Sequence, residues 1–271
     1  MRLGLSSYTY AWALGVPGYP PPPRPMTHEA LLRKAAAQGV RVVQIADNLP
    51  IDRLPAGRVE ELLGVAAELG ITIELGTSGI AREHLLRQLE LAVKVGSPIL
   101  RLVIDTADHR PTPTEAASML REVAPEFARR GVKLAVENHD RFDAPTLAGV
   151  LESVRSPAVG VCLDTANSIA CLETPQRVTE VLGPWVVGLH VKDFEIVRAP
   201  HQKGFVVEGR PAGQGRLDVP WLLSALKEMG RDPNAILELW PPPAKTIEET
   251  VAIEEDWARQ SLQYLRGLIP D

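Results

Sequence analysis

The sequence predicts an α/β protein of the (β/α)₈ barrel type. Eight short runs rich in Val, Ile and Leu recur along the 271 residues, and amphipathic stretches lie between them. The third observation is negative: a doubly wound dinucleotide-binding sheet carries G-x-G-x-x-G after its first strand, and "GLSSYTYAWALG" stands there instead. Strands that alternate with helices build a parallel sheet, and eight such units close it into a barrel. They exhaust the chain, so residues 1–271 are read as a single domain.

The strands are expected, in order, at "MRLGLS", "VRVVQI", "ITIEL", "PILRLVI", "VKLAV", "VGVCL", "WVVGLHV" and "AILEL". Each is a short apolar run of the kind that a sheet buried on both faces requires. Helices are expected at "THEALLRKAAAQ", "RVEELLGVAAEL", "REHLLRQLELAVKV", "PTEAASMLREVAPEFARR" and "DVPWLLSALKEM", where apolar residues recur at three and four. Gly39, Gly70, Gly96 and Gly131 stand where left-handed C-caps belong, and Thr27 and Thr114 where N-caps belong. "GVPGYPPPPRP" falls inside the first strand-to-helix loop, as a stiff polyproline segment across the barrel mouth or a passive surface loop.

Composition excludes several function classes. With 45% hydrophobic and 23% charged residues the chain can bury a large core, and a formal charge of −5 gives no basic face for nucleic acid. Cys162 and Cys171 fit neither a disulfide framework nor a zinc ribbon, so they are read as small core residues. The first residues lack a basic region followed by an apolar run, and no stretch is long enough to span a bilayer. A soluble cytoplasmic protein without a membrane partner is expected, and a homo-oligomer is compatible with it. "GRPAGQGRLD" lacks the Lys-Ser/Thr of a phosphate loop, and no G-x-S-x-G elbow occurs.

Barrel active sites form where strands end, at the C-terminal face. Read in order, the closing residues are Tyr8, Gln44, Glu74, Asp105, Glu137, Asp164, His190 and Glu238. The last four place three carboxylates and one imidazole at one opening, where they repel one another without a cation between them. One divalent ion resolves this. An O₃N donor set suits Mn²⁺, Mg²⁺, Co²⁺ or Zn²⁺. Lys192 lies on the same side of the seventh strand and can neutralise a substrate carboxylate or oxyanion, or pair with Asp193 or Asp164. His139 can donate to a substrate hydroxyl or cap its loop. Arg198, His201 and Lys203 form a basic cluster in the long connection before the eighth strand. Tyr8, Tyr10, Trp12 and Trp240 are expected to stack on a sugar face or wall the mouth.

The motifs "ENH", "LDTAN", "HVKD", "GQGRLD" and the terminal "LEL" resemble those of the xylose-isomerase-like TIM barrels, the sugar phosphate isomerases and epimerases. The resemblance covers nearly the whole chain and implies metal ligation by Glu137, Asp164, His190 and Glu238. It places Asn167 near the substrate; Tyr8, Gln44, Asp105, His139, Arg198 and Trp240 are the other expected substrate contacts. Asn167 stands where the epimerases usually have His, a departure that weakens a simple epimerase assignment. "SSYTYAW", "QIADNLP", "ELGTSGI" and "HQKGFVVEGRPAGQGRLD" look like a branch containing a 3-oxo-isoapionate decarboxylase. The resemblance also extends to metal-dependent apurinic endonucleases, which the acidic charge and the count of six His argue against.

The expected reaction is isomerisation or epimerisation of a small keto-sugar or related polyol through a metal-stabilised enediolate, with Glu137 and Glu238 as the proton-transferring pair and Lys192 in support. The alternative is a metal-dependent lyase, either a decarboxylase of a 3-oxo sugar acid or a dehydratase. A sugar-binding barrel without catalysis is the remaining reading.

Overall fold

The computed structural model describes residues 1–269 except 56, 200 and 202, so the last two residues of the expected domain, and two in the long loop before the eighth barrel strand, lie outside the described residues. Eight parallel strands form a closed barrel: β1 (Leu3–Ser6), β2 (Val42–Ile45), β3 (Thr72–Ser78), β4 (Ile99–Val103), β5 (Lys133–Glu137), β6 (Val159–Asp164), β7 (Val186–Val191) and β10 (Ala235–Leu237). The intervening β8 (Asp193–Arg198) and β9 (Phe205–Arg210) form a separate antiparallel hairpin. The long loop expected there thus contains a pair of strands. Its alternation of apolar and charged residues, "DFEIVR" and "FVVEGR", is the period-2 signal of such a ribbon.

The outer layer consists of α2 (His28–Ala37), α3 (Arg58–Glu68), α4 (Arg82–Val95), α5 (Pro113–Arg130), α6 (Ala144–Val154), α7 (Pro175–Leu182), α8 (Val219–Glu228) and α9 (Ile247–Arg266), with the single turn α1 (Ala11–Leu14) after the first strand. Thr27 caps α2 as expected, accepting from the Ala30 N–H. The N-cap of α5 is Thr112 rather than Thr114. Pro113 occupies the first helical position and Glu115 closes a capping box with Thr112, which moves the boundary two residues upstream. Gly96 and Gly131 are left-handed C-caps.

The main core lies between barrel and helices, where Leu31, Leu85, Leu120, Leu222 and Leu262 are buried. Each fully buried leucine contributes about 1.5–3 kcal/mol. A smaller apolar cluster of Ile99, Ala135 and Cys162 fills the barrel interior. Gly188 is required there: a Cβ on it would stand 3.1 Å from Ile99 Cδ1 and 3.3 Å from Cys162 Sγ. The Cys162 half of the core expectation therefore holds, while Cys171 is only half-buried. Among the described residues no helix is long and apolar enough to cross a membrane.

Above the apolar cluster the interior becomes polar. Gln44, Glu74, Arg101, Glu137, Asp164, His190 and Glu238 are all buried. Glu74 does not close its strand: it is the third residue of β3, which continues to Ser78. The strand ends also fall short of Tyr8, which lies in a 3-10 turn, Ser7–Tyr10, and of Asp105 and Glu238, which lie in the loops just beyond.

Candidate functional site

The register of the strands brings the four expected ligands together. Asp164 on β6 pairs with His190 on β7, Ile236 on β10 also pairs with His190, and Glu238 follows two residues after Ile236. His190 Nδ1 lies 3.6 Å from Glu137 Oε2, 3.7 Å from Asp164 Oδ2 and 3.5 Å from Glu238 Oε1. These same four atoms are buried without a protein hydrogen-bond partner. Arg101 and Lys192 stand against two of these oxygens, but three carboxylates and a ring nitrogen still converge on one point, which is costly unless a further cation joins them. Three oxygens and one imidazole nitrogen fit a divalent ion. Cys162 also lies within reach of Glu137 and His190. Burial, however, pushes its thiol pKa up and keeps it a poor ligand.

Neighbouring residues fix each ligand. Asp164 Oδ1 accepts from the N–H groups of Ala166 and Asn167 at 2.9 and 2.8 Å, an Asx turn that leaves Oδ2 facing the centre. Asn138 holds the same strand end, with its Oδ1 accepting from the Asp164 N–H at 2.7 Å and its Nδ2 donating to the Asp164 carbonyl at 2.8 Å. The motifs "ENH" and "LDTAN" are thus one hydrogen-bonded unit. Asn167 Nδ2 donates to Glu137 Oε1 at 2.8 Å.

Two cations stand against the carboxylates. Lys192 Nζ lies 2.8 Å from Asp164 Oδ2 and 3.0 Å from Glu238 Oε2, so its partner is Asp164 and not Asp193. Its backbone is clamped by Thr165 Oγ1, which accepts from the Lys192 N–H and donates to its carbonyl, both at 2.8 Å. Arg101 on β4 was not among the expected site residues. It is 3% exposed, with Nε 2.7 Å from Glu137 Oε2 and Nη1 3.1 Å from Asp47 Oδ1. The signal in the sequence is an arginine inside an otherwise apolar strand, "PILRLVI". Such a residue must have a buried partner.

The charges shift one another. Burial disfavours ionised Asp164, but the Lys192 ammonium and His190 outweigh it and hold the carboxyl well below its usual range. Glu238 is lowered in the same way, with His190 and Lys192 overcoming burial. Burial opposes the cation of Lys192, and Asp164 and Glu238 reverse this and raise its pKa. His190 is also raised, because Cys162, Glu238 and Glu137 outweigh its burial. A cation that replaces the proton there gains from the same field.

Other expected residues divide into two groups. Tyr8 and Trp240 line a vestibule of about 700 Å³ together with Trp12, Val206, Val207 and Pro241. Lys192 Nζ lies 6.0 Å from the Trp240 ring centre, and Arg101 lies under the Tyr8 ring at 5.7 Å. Burial raises the Tyr8 hydroxyl to about 12, so it stays a donor. The hairpin supplies one wall of this vestibule, and Gly15, Val16 and Pro17 of the proline-rich loop supply part of another. Trp12 is both lining and core, with Nε1 donating to the Pro241 carbonyl at 3.0 Å.

The second group does not line the vestibule. Gln44 is 1% exposed and faces His190, so it has no surface for substrate. Tyr10 is core, donating to Gln38 Oε1 at 3.0 Å rather than walling the mouth. Asp105 is occupied by Arg141 through Nε at 2.6 Å and Nη2 at 2.5 Å. His139 is exposed and bonded through Nδ1 to Asp140 Oδ1 at 2.7 Å. Arg198 ends β8 with its guanidinium over the exposed Phe205 ring, and His201 and Lys203 are exposed in the hairpin turn. A second cavity of about 290 Å³ beside β2 and β3 pairs its polar groups internally, Ser78 with Asp47 and Gln88 with Asp52.

"GQGRLD" closes over this face by wrapping Asp193. Asp193 Oδ2 accepts from the N–H groups of Gly213 and Gly215, both at 2.9 Å, and Oδ1 from those of Phe194 and Leu217 at 2.8 and 3.0 Å. The carboxylate therefore anchors the loop and the hairpin to the residue following Lys192.

Three carboxylates and one imidazole converge, buried, at the C-terminal mouth of an eight-stranded parallel barrel. The chain belongs to the xylose isomerase-like TIM barrel family, whose model matches residues 32–268. It is 36% identical over 265 residues to a 3-oxo-isoapionate decarboxylase of Pectobacterium atrosepticum, covering 98% of this chain and 95% of that protein. Its fold matches a D-psicose 3-epimerase of Clostridium cellulolyticum H10 with a TM-score of 0.74 at 15% identity, covering 98% and 97% of the two chains. It also matches a xylose isomerase-like barrel protein of Mycobacterium smegmatis crystallised with magnesium, with a TM-score of 0.70, 15% identity and 97% coverage of each chain.

Proposed function

We propose that the protein is a divalent-metal-dependent decarboxylase of a small 3-oxo sugar acid. The observation that carries this reading is a pair of cations, the half-buried Lys192 and the buried Arg101, set against the carboxylates. Glu137, Asp164, His190 and Glu238 would hold the ion, and a bound divalent ion supplies Lewis-acid stabilisation of negative charge on a carbonyl oxygen. Loss of CO₂ breaks the bond from the carboxyl carbon to the α-carbon, and the electron pair passes onto the neighbouring carbonyl oxygen. No base is needed for that step. Lys192 is charged, so it binds the substrate carboxylate as a cation, and from Nζ, 6.0 Å from the Trp240 ring centre, it returns a proton to carbon. The likeness to the Pectobacterium enzyme supports this substrate class.

Isomerisation of a keto-sugar is the second reading, and one observation favours it: Glu137 and Glu238 face the same centre, as a proton shuttle requires. Both Glu137 oxygens, however, are engaged, one beside Arg101 and the other accepting from Asn167. The test is to incubate the Mn²⁺-loaded protein in D₂O with 3-oxo sugar acids and with ketoses. Stoichiometric CO₂ and one deuterium at the former carboxyl-bearing carbon are expected. Isomer formation from a neutral ketose, with no CO₂ from any acid, would reverse the assignment. Retention of every compound unchanged would leave a sugar-binding barrel.

A further inference from the structure

A chain of side-chain hydrogen bonds crosses the barrel interior behind His190. The Arg2 N–H donates to Asn234 Oδ1 at 3.3 Å, and Asn234 Nδ2 donates to Glu74 Oε1 at 2.7 Å. On the other side of Glu74, Gln44 Nε2 donates to Oε2 at 3.3 Å, and Gln44 Oε1 lies 2.8 Å from His190 Nε2. In the closed strand order β2 and β7 are separated by β1 and β10, so the contact between Gln44 and His190 spans the interior. Glu74 and Gln44 are 4% and 1% exposed, and neither lines the vestibule.

The direction of each bond follows from the two ends. A backbone N–H can only donate, so Asn234 must present its oxygen to Arg2 and its amide nitrogen to Glu74. Burial raises the Glu74 pKa, but the hydrogen bonds from Asn234 and Gln44 favour its ionised form, and a carboxylate accepts from both, so Gln44 turns its nitrogen to Glu74 and its oxygen to His190. An amide oxygen requires a donor opposite it, which places the His190 proton on Nε2. The lone pair is then on Nδ1, the atom that faces Glu137, Asp164 and Glu238. We propose that Glu74, acting through Gln44, is a positioning residue that fixes the ring orientation and tautomer of His190 for metal ligation. The inference rests on the metal reading of the centre and adds to it two residues with no contact to the ion or substrate. Partners behind a ligating histidine set its basicity and orientation, and their loss typically weakens metal binding about 10–100-fold.

The near-isosteric Glu74→Gln reverses the chain. Its carbonyl must serve Asn234, so its amide nitrogen meets Gln44, which turns its own nitrogen towards His190 and selects the tautomer with hydrogen on Nδ1. The exchange Gln44→Glu with Glu74→Gln restores the direction, because Glu at position 44 accepts both from the new amide and from His190 Nε2. Mn²⁺ affinity is measured by titration calorimetry for the wild type and both variants, alongside thermal melts. Expected is a loss of about 10–100-fold in Glu74→Gln, with its melt intact, and recovery to within about threefold in the exchanged pair.

With ¹⁵N-histidine and Zn²⁺, the wild type shows a slowly exchanging His190 Nε2–H signal, and Glu74→Gln loses it. This second readout decides the matter if the exchanged pair does not fold. Unchanged Mn²⁺ affinity in Glu74→Gln, an exchanged pair that binds no better than it, or a persisting Nε2–H signal overturns the relay while leaving the metal centre in place. A wild type that takes up no Mn²⁺ overturns the metal reading itself and the relay with it.

Discussion

Asp193→Asn tests the idea that one carboxylate organises the loop and hairpin that frame the site. Asp193 is 1% exposed, and its two oxygens take four backbone N–H groups. An amide in its place keeps one acceptor and turns an NH₂ group towards two donors. Each hydrogen bond to a charged group contributes about 1.5–3 kcal/mol, so losing two removes about 3–6 kcal/mol before relaxation. Space does not allow the loop to rearrange freely. A Cβ on Gly215 would already stand 2.3 Å from Asp193 Oδ1, and Gly213 has φ +83°, where a side chain is strained. The loop must open instead. Urea unfolding should show a loss of at least about 3 kcal/mol, and amide exchange at Gly213, Gly215 and Leu217 should accelerate more than in the barrel strands. A loss under about 1 kcal/mol, with amide protection unchanged, would refute the reasoning.

The remaining predictions concern buried charge. Glu254 accepts from the N–H groups of Trp12 and Ala13 at 2.8 and 3.0 Å, and burial raises its pKa from 4.5 to about 8. The folded state therefore holds this proton more tightly than the unfolded chain: the stabilisation is full below pH 4.5 and is lost as pH rises through about 8. Its ceiling is roughly 5 kcal/mol, and Glu254→Gln should flatten the decline of melting temperature between pH 5 and pH 8. Arg101→Met leaves Glu137 without its buried cation and should lower stability by about 3–5 kcal/mol in urea unfolding, whereas an effect confined to activity would show the pair to be dispensable to the fold. Lys192→Met should lower kcat/KM for an acidic substrate about 10–100-fold and affect a neutral ketose far less, and equal losses would deny Lys192 its carboxylate.

The barrel was legible because buried parallel strands and amphipathic helices write different periods. "VGVCL" and "REHLLRQLELAVKV" cannot be exchanged without exposing their apolar faces. The convergence of Glu137, Asp164, His190 and Glu238 was legible for a related reason: a carboxylate or imidazole at the end of a buried strand has few reasons to be there. What failed was the assumption that polarity at a strand's end marks a substrate contact. Gln44 and Glu74 are polar within their strands and serve His190 from behind, which only the pairing across the closed barrel reveals. Arg101 was overlooked because it lies mid-strand, and Asn138 because its role depends on the neighbouring strand. The hairpin reads as a loop in the sequence because its strands pair with each other and not with the barrel.

The choice between lyase and isomerase turns on how this charge is arranged. An isomerase needs a carboxylate free to take a proton from carbon and a second acid to return it. Here Glu137 lies beside Arg101 and accepts from Asn167, while Glu238 lies beside Lys192, so neither is left alone with substrate. Asn167 cannot titrate, and an imidazole at its place would have added a proton carrier next to Lys192, to which Asn167 is already bonded at 3.4 Å. The cations have the opposite effect on an acid. With the proposed divalent ion, Arg101 and Lys192 balance Asp47, Glu137, Asp164 and Glu238 and leave no net negative charge to repel a substrate carboxylate. A site with weakened bases and compensated charge is poorly suited to deprotonating a neutral ketose and well suited to admitting an anion that loses CO₂ and needs one proton afterwards.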